Sequence, residues 1–357
     1  MNTRLALLAF FLLASQALAT PPTYTVIDLG TFGGTSSVGL AINNSGKVTG
    51  QATTSGDAAT QAFLYDGTMH ELGTLGGPYS VASGINDSGQ ITGQSDTAGD
   101  AATHAFLYDG TMHDLGTLGG TNSAGYGINA SGQITGDSYT SGDADHAFLW
   151  TPTVPNGTSG TMHDLGTLGG TISQGFGINA SGLVTGIAFT SGNAEHAFLY
   201  DGTMHDLGTL GGTTSEGNAI NASGQVTGGS YTTGGAFHAF LYDGTMHDLG
   251  TLGGESEGLG INDSGQITGD SYTSGGAEQA ILYESGQMYD LNTLISPSSG
   301  WVLTQGIAIN DVGQITGLGK IGGQNHAFLL TPVPVPEPST LLLALLAFPA
   351  VFFLWRR

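Results

Sequence analysis

Apolar and polar positions along this chain alternate in short runs that keep returning. From Ala124 to Asn129 every second residue is small, with Gly125 and Gly127 in the alternation; Ala130-Ser131-Gly132 then turns the chain, and Gln133 to Tyr139 leads it back. That pattern predicts two paired strands. A loop rich in Gly, Ser and Asp follows, then the apolar run His146-Ala147-Phe148-Leu149-Trp150. In most copies this run passes into Tyr-Asp-Gly-Thr-Met-His, as at Tyr108 to His113. Asp-Gly between apolar segments is a strong hairpin signal. A two-residue turn at Asp109-Gly110 places Phe106 opposite His113 and Leu107 opposite Met112. His104 then lies opposite Leu115. Each unit reads as four strands. Helix does not compete, since the body has no long apolar run of 3.6-residue period and the chain carries 62 glycines.

Three signatures recur at intervals of 41 to 50 residues. Asp/Glu-Leu-Gly-Thr-Leu/Phe-Gly-Gly starts at Asp28, Glu71, Asp114, Asp164, Asp206 and Asp248, with a degenerate copy from Asp290. Ile-Asn, a glycine turn and an apolar-Thr-Gly triplet start at Ile42, Ile85, Ile128, Ile178, Ile220, Ile261 and Ile309. His-Ala-Phe stands at His104, His146, His196, His238 and His326, with variants from Gln61 and Gln279. About 42 residues and four strands per unit is the spacing of a propeller blade. The chain therefore reads as all-β, a seven-bladed β-propeller. It opens on an unpaired Tyr24 to Leu29 strand and closes on an unpaired His326 to Leu330 strand, so pairing the two closes the ring and leaves no edge open. The Gly-x-Gly strand belongs innermost, where blades crowd around the axis. A β-solenoid is the alternative and needs no pairing of the ends.

The ends have a different character. Arg4, an apolar run from Leu5 to Ala14, and the small-x-small triplet Ala17-Leu18-Ala19 have the pattern of a secretory signal over residues 1–19, with the mature chain starting near Thr20. Residues 20–331 form the body. Residues 332–357 hold a Pro-rich spacer, an apolar run from Leu341 to Trp355 that just spans a bilayer as a transmembrane helix, and Arg356-Arg357, which anchor the C-terminus in the cytoplasm.

Charge narrows the partners. Of the chain's 28 acids only Glu337, and of its five bases three, lie in these end segments; the body carries 27 acids against Lys47 and Lys320. Such a surface repels phosphates, which excludes nucleic acid. Without cysteine, the body folds without disulfides.

Val335-Pro336-Glu337-Pro338-Ser339, an apolar helix and a terminal basic pair together resemble a PEP-CTERM sorting signal. The resemblance covers about the last 25 residues. It implies recognition of Pro336, Glu337 and Pro338 by an exosortase, a membrane protease of Gram-negative bacteria that make exopolysaccharide. The His-Ala-Phe-Leu-Tyr and Gly-Thr-Leu-Gly-Gly segments resemble the HAF-type extracellular repeat over nearly the whole body. That resemblance implies an exported repeat protein and no particular activity. The hairpin lengthened by Thr151 to Gly160 and the weak copy from Gln279 to Ile295 depart from it.

Candidate chemistry is sparse. The ten histidines are spread around the repeats without a common centre, so they read as structural and no metal or cofactor is expected. Asn-x-Ser-Gly at Asn86, Asn129, Asn179, Asn221 and Asn262 reads as a turn before it reads as a glycan acceptor. Gly-Thr-Leu-Gly-Gly lacks the Lys and the helix of a phosphate loop. Glu255 and Glu257, in an expected loop, and Asp270 are the nearest to a carboxylate pair for polysaccharide hydrolysis, although solvated charge suits the two glutamates better. Asp143 with Asp145 suggests a weak calcium ion. The expected function is an exported, surface-associated or secreted protein with no catalytic activity. It would bind extracellular polysaccharide, or help build its matrix, after transient anchoring in the inner membrane and C-terminal processing. The alternatives are a polysaccharide-acting enzyme and a calcium-stabilised adhesion module.

Overall fold

The computed structural model describes residues 22–334. The signal residues Ala17 and Ala19, the sorting residues Pro336, Glu337 and Pro338, the apolar run from Leu341 and the anchor Arg356-Arg357 lie outside them. Among the described residues no helix is long and apolar enough to cross a membrane.

The described chain is all-β, with 28 strands. The repeat is clearest in its third copy, made of β10 (Gly119–Ile128), β11 (Ile134–Thr140), β12 (Asp145–Pro152) and β13 (Gly160–Asp164) in antiparallel sequence order. Five such four-stranded sheets follow the chain from β6 (Gly76–Ile85) to β25 (Gln287–Asp290), one per repeat. Before them stands the sheet of β2 (Gly33–Ile42), β3 (Val48–Thr54), β4 (Thr60–Tyr65) and β5 (Met69–Glu71). After them comes a seventh, of β26 (Trp301–Ile309), β27 (Ile315–Ile321) and β28 (Gln324–Pro332), whose outer strand is β1 (Tyr24–Gly30). β1 runs antiparallel to β28 from Tyr24↔Pro332 to Gly30↔Ala327, so the two ends of the body do pair. One parallel bridge, Ser36↔Asn325, joins the first and seventh sheets. The sheets are numbered one to seven below. Each sheet stays open, and their first strands pack side by side in a cycle that returns from β26 to β2, a propeller-like arrangement.

The first strand of each sheet lies at the axis, where several glycines leave no room for a Cβ. A Cβ on Gly136, from the apolar-Thr-Gly triplet, would strike the Ala124 carbonyl oxygen, because β10 bulges between Gly125 and Gly127 just there. One on Gly125 would strike the hydroxyl of Thr92 in the preceding sheet. The phenylalanine of each His-Ala-Phe signature is fully buried, at Phe63, Phe106, Phe148, Phe198, Phe240 and Phe328, with Ile281 in the sixth copy. The alanine before it sits against the next sheet: Ala105 N–H donates to Ser123 Oγ at 2.9 Å, and that serine donates to Gly116 O at 2.6 Å. Size and hydrogen bonding thus account for both residues.

The outer hairpin corrects the expected register. The connection spans Asp109, Gly110 and Thr111, so Phe106 faces Asp114, Leu107 faces His113 and Tyr108 faces Met112. The extra residue fits because Asp109 N–H donates to Thr111 O at 3.3 Å, and Gly110 adopts φ of 119°. The shift brings His104 Nδ1 within 2.9 Å of the Asp114 carboxylate, while Leu115 N–H donates to Ala105 O. Five histidines meet a strand-partner aspartate through Nδ1 in this way, His326 doing so with Asp28 across the paired ends, and four more meet the aspartate of their own turn through Nε2, as His113 meets Asp109, all at 2.9 Å. The lengthened hairpin folds back over its own sheet: Asn156 N–H donates to Ser131 O, and Asn156 O accepts from Gln90 Nε2 of sheet two at 3.0 Å.

Candidate functional site

Around the axis the sequence's Ile-Asn pairs form two stacked rings. Ile42, Ile85, Ile128, Ile220, Ile261 and Ile309 line a polar-mouthed cavity of about 240 Å³. Beside it, the asparagine of each copy joins its neighbour: Asn43 Nδ2 donates to Asn86 O, and the chain runs on through Asn129, Asn179, Asn221, Asn262 and Asn310 back to Asn43 O. All seven bonds measure between 2.9 and 3.2 Å. Each Oδ1 also closes its own turn, as Asn179 does by accepting from Ser181 and Leu183 N–H. The Asn-x-Ser-Gly pattern therefore has a structural role beyond the turn, and its amide nitrogens are already engaged.

Five residues earlier in the axial strands the copies diverge. Val38, Val81, Ala124, Gln174, Glu216, Glu257 and Gln305 occupy equivalent register positions, facing Gln51, Gln94, Asp137, Ile187, Gly229, Asp270 and Leu318 respectively. At this level acids therefore collect on sheets three, five and six. Burial, then the charges of Glu257 and Glu195, pushes the Glu216 carboxyl up to about 7. Burial, then Glu257 and Glu278, does the same for Asp270, also up to about 7. Burial raises Glu257 too, against a 2.7 Å bond from Asn218 Nδ2. Glu255 and Glu257 thus belong to β22 (Gly253–Ile261) and not to a loop, and they part company: Glu255 is exposed, whereas Glu257 faces Asp270 across the ladder. Solvated charge does not describe Glu257. Its alternation with buried Ser256 and Gly258 was the available signal.

A cleft of about 380 Å³ opens where the two ends of the body meet, between sheets six and seven. Tyr24 and Pro332, the last pair of the β1–β28 ladder, form one wall, held by Tyr24 N–H to Leu294 O and Val333 N–H to Thr23 O, both at 2.8 Å. Glu284 and Tyr289 of sheet six form the other, with Asp311 and the exposed Val312 between. Gln266 Nε2 donates to Glu284 Oε1 at 2.7 Å, and Tyr289 O–H to Gln287 Oε1 at 3.0 Å. Tyr24 is only 4% exposed, and its hydroxyl has no partner among the described residues. Burial, then Glu284, holds that phenol far above its ordinary range. Two tyrosines, two prolines and Val312 supply apolar surface, while two acids and an amide supply hydrogen bonds. No basic group lines the cleft, so it is unsuited to anions. Sequence reasoning missed it because Tyr24 and Tyr289 look like ordinary strand residues until the ends pair.

No protein-family model and no curated protein sequence matches this chain. Among solved structures it is similar to a putative TolB from Agrobacterium tumefaciens, at 14% identity over 65% of this chain and 87% of that one, with a TM-score of 0.39. SapL1 lectin in complex with alpha methyl fucoside matches at 11% identity over 86% and 98%, with a TM-score of 0.35. A mutant of Aleuria aurantia lectin in complex with Fucalpha1-6GlcNAc matches at 12% over 76% and 100%, with a TM-score of 0.36. Likenesses this distant assign no ligand and no activity.

Proposed function

We propose that this chain is an exported, closed seven-bladed propeller that binds neutral saccharide without catalysis. In this reading the exported body belongs to an extracellular polysaccharide matrix, and an exosortase-type protease trims it at Pro336, Glu337 and Pro338. The cleft between sheets six and seven carries the proposal. A sugar ring offers an apolar C–H face and a rim of hydroxyls; the Tyr289 and Val312 surfaces match the first, and Glu284, Asp311 and Gln266 match the second. The volume of about 380 Å³ admits one or two sugar units.

A glycan-array screen of residues 20–334, repeated with Tyr289→Ala and Glu284→Gln, tests this. Binding to a defined glycan class that both substitutions weaken by tenfold or more, about 1.4 kcal/mol, is the expected result. Binding that both variants keep at full strength would show that the cleft is not the site. A polysaccharide-acting enzyme is the second reading, favoured by the Glu216 and Asp270 carboxyls raised to about 7. Release of reducing ends from the bound glycan, lost on Asp270→Asn, would establish that reading instead.

A further inference from the structure

Sheet three carries two aspartates on the face it turns to sheet four. Asp137 of β11 faces Ala147 of β12, and Asp145 of β12 faces Tyr139, so the two acids stand diagonally, on one side of neighbouring strands. Equivalent positions hold Gln51 with Thr60, Gln94 with Thr103, Ile187 with Glu195, Gly229 with Phe237 and Leu318 with Asn325. Only Asp270 with Glu278 repeats the double acid. Asp137 is 8% exposed, and one oxygen of each aspartate, Oδ1, is buried without any partner. Gln174, the axial residue of sheet four, donates Nε2 to Asp145 Oδ2 at 2.9 Å and so fixes that carboxylate's orientation. Tyr126 stands beside Asp137, its ring packed edge-on against Phe176 at 5.6 Å. No base is near.

Two carboxyls in contact inside a seam, each with an orphaned oxygen, cost several kcal/mol unless something positive lies between them. We propose that Asp137 and Asp145 hold a divalent cation of the calcium class in the seam between sheets three and four. Each aspartate supplies its unpartnered Oδ1, Gln174 orients Asp145, and water completes the shell. The donors are all oxygen, without imidazole or thiolate, which selects a hard cation. Two carboxylates balance its charge, and calcium accepts the irregular geometry of a β-ladder where magnesium demands an octahedron. With two protein carboxylates the affinity belongs with weak extracellular sites, at ~10⁻⁴–10⁻³ M. The seam is separate from the saccharide cleft and stands or falls without it.

The test uses residues 20–331, stripped of metal, at pH 8. Terbium, a calcium surrogate sensitised by a nearby tyrosine, is titrated with and without calcium, and the unfolding midpoint is read in EGTA and in millimolar calcium. Expected are terbium luminescence that calcium competes away and a midpoint raised by calcium. The paired variant Asp137→Asn with Asp145→Asn should lose both and should be no less stable than wild type in EGTA. Tyr126→Phe should keep the calcium response and lose most of the luminescence. Asp270→Asn with Glu278→Gln should keep both. A calcium response that survives Asp137→Asn with Asp145→Asn would mean diffuse screening of the acidic body and would overturn the proposal. So would an unchanged wild-type midpoint in calcium.

Discussion

The axial strands treat their two polar levels in opposite ways. At the asparagine ring all seven copies keep one residue, each amide has its partners, and the bonds run unbroken through every sheet. Five residues earlier the copies differ, acids collect on sheets three, five and six, and burial raises Glu216 and Asp270 to about 7 and Asp137 in the same direction. The first level holds neighbouring sheets together; the second stores unfavourable charge. The variable level also bridges neighbouring sheets, as Gln174 does to Asp145 and Glu257 does by accepting from Asn218, but each bridge is particular to its own pair of copies.

Removing the strand that completes the cycle should disturb the molecule most. Deleting residues 20–30 strips β1 from β28, removes the buried side chains of Tyr24 and Leu29 from the core and breaks the His326–Asp28 pair. The unfolding midpoint should fall by more than about 10 °C, or the body should aggregate through the exposed β28 edge. An unchanged midpoint would mean that the ends do not close the fold. At the asparagine level, Asn179→Ala removes one bond to sheet five and leaves two turn N–H groups unpaired, at a site 4% exposed. It should cost about 2–4 kcal/mol in denaturant unfolding. Val38→Ala, at the variable level, should cost clearly less; equal losses would erase the contrast.

The carboxylate level predicts an unusual pH response. A carboxyl whose folded pKa lies near 7 and whose unfolded pKa lies near 4 binds protons more tightly when folded between those values, so stability falls as pH rises through that window. Without divalent cation, the midpoint should therefore rise by several degrees from pH 8 to pH 5.5, and Glu216→Gln should remove part of the rise. A flat profile would show these acids to be solvated. The exposed Asp109, held low chiefly by its bond from His113, acts with the opposite sign: its contribution is present at neutral pH and is lost as pH falls below the usual carboxylate range. Being open to solvent, it matters least. His113→Gln should move the midpoint by less than about one degree.

The four-stranded unit, the axial place of the Gly-x-Gly strand and the meeting of the two ends were legible in the sequence, because repeats report which residues share an environment. The outer register was not, since the Asp109 side chain and Gly110 together accommodate a third turn residue that Asp-Gly alone does not reveal. Nor were the acid contacts. Asp143 and Asp145 are close in sequence, but Asp143 occupies the turn with φ of 61°, and Asp145 turns to Asp137 on the neighbouring strand. The asparagine ring was hidden behind a good local explanation: the same residue that closes a turn also reaches the next sheet.

Pairing Tyr24 with Pro332 also has a kinetic cost. Sheets one to six can assemble from contacts within a single repeat, whereas sheet seven waits for a strand some 300 residues away to find its edge. Completion is therefore an end-game event, with the β28 backbone exposed until it happens. A circular permutant that joined the present ends with a short linker and opened the chain between β3 and β4 would convert that distant search into a local hairpin. It would place the slow step in sheet one instead, moving the folding bottleneck around the ring while leaving the finished architecture the same.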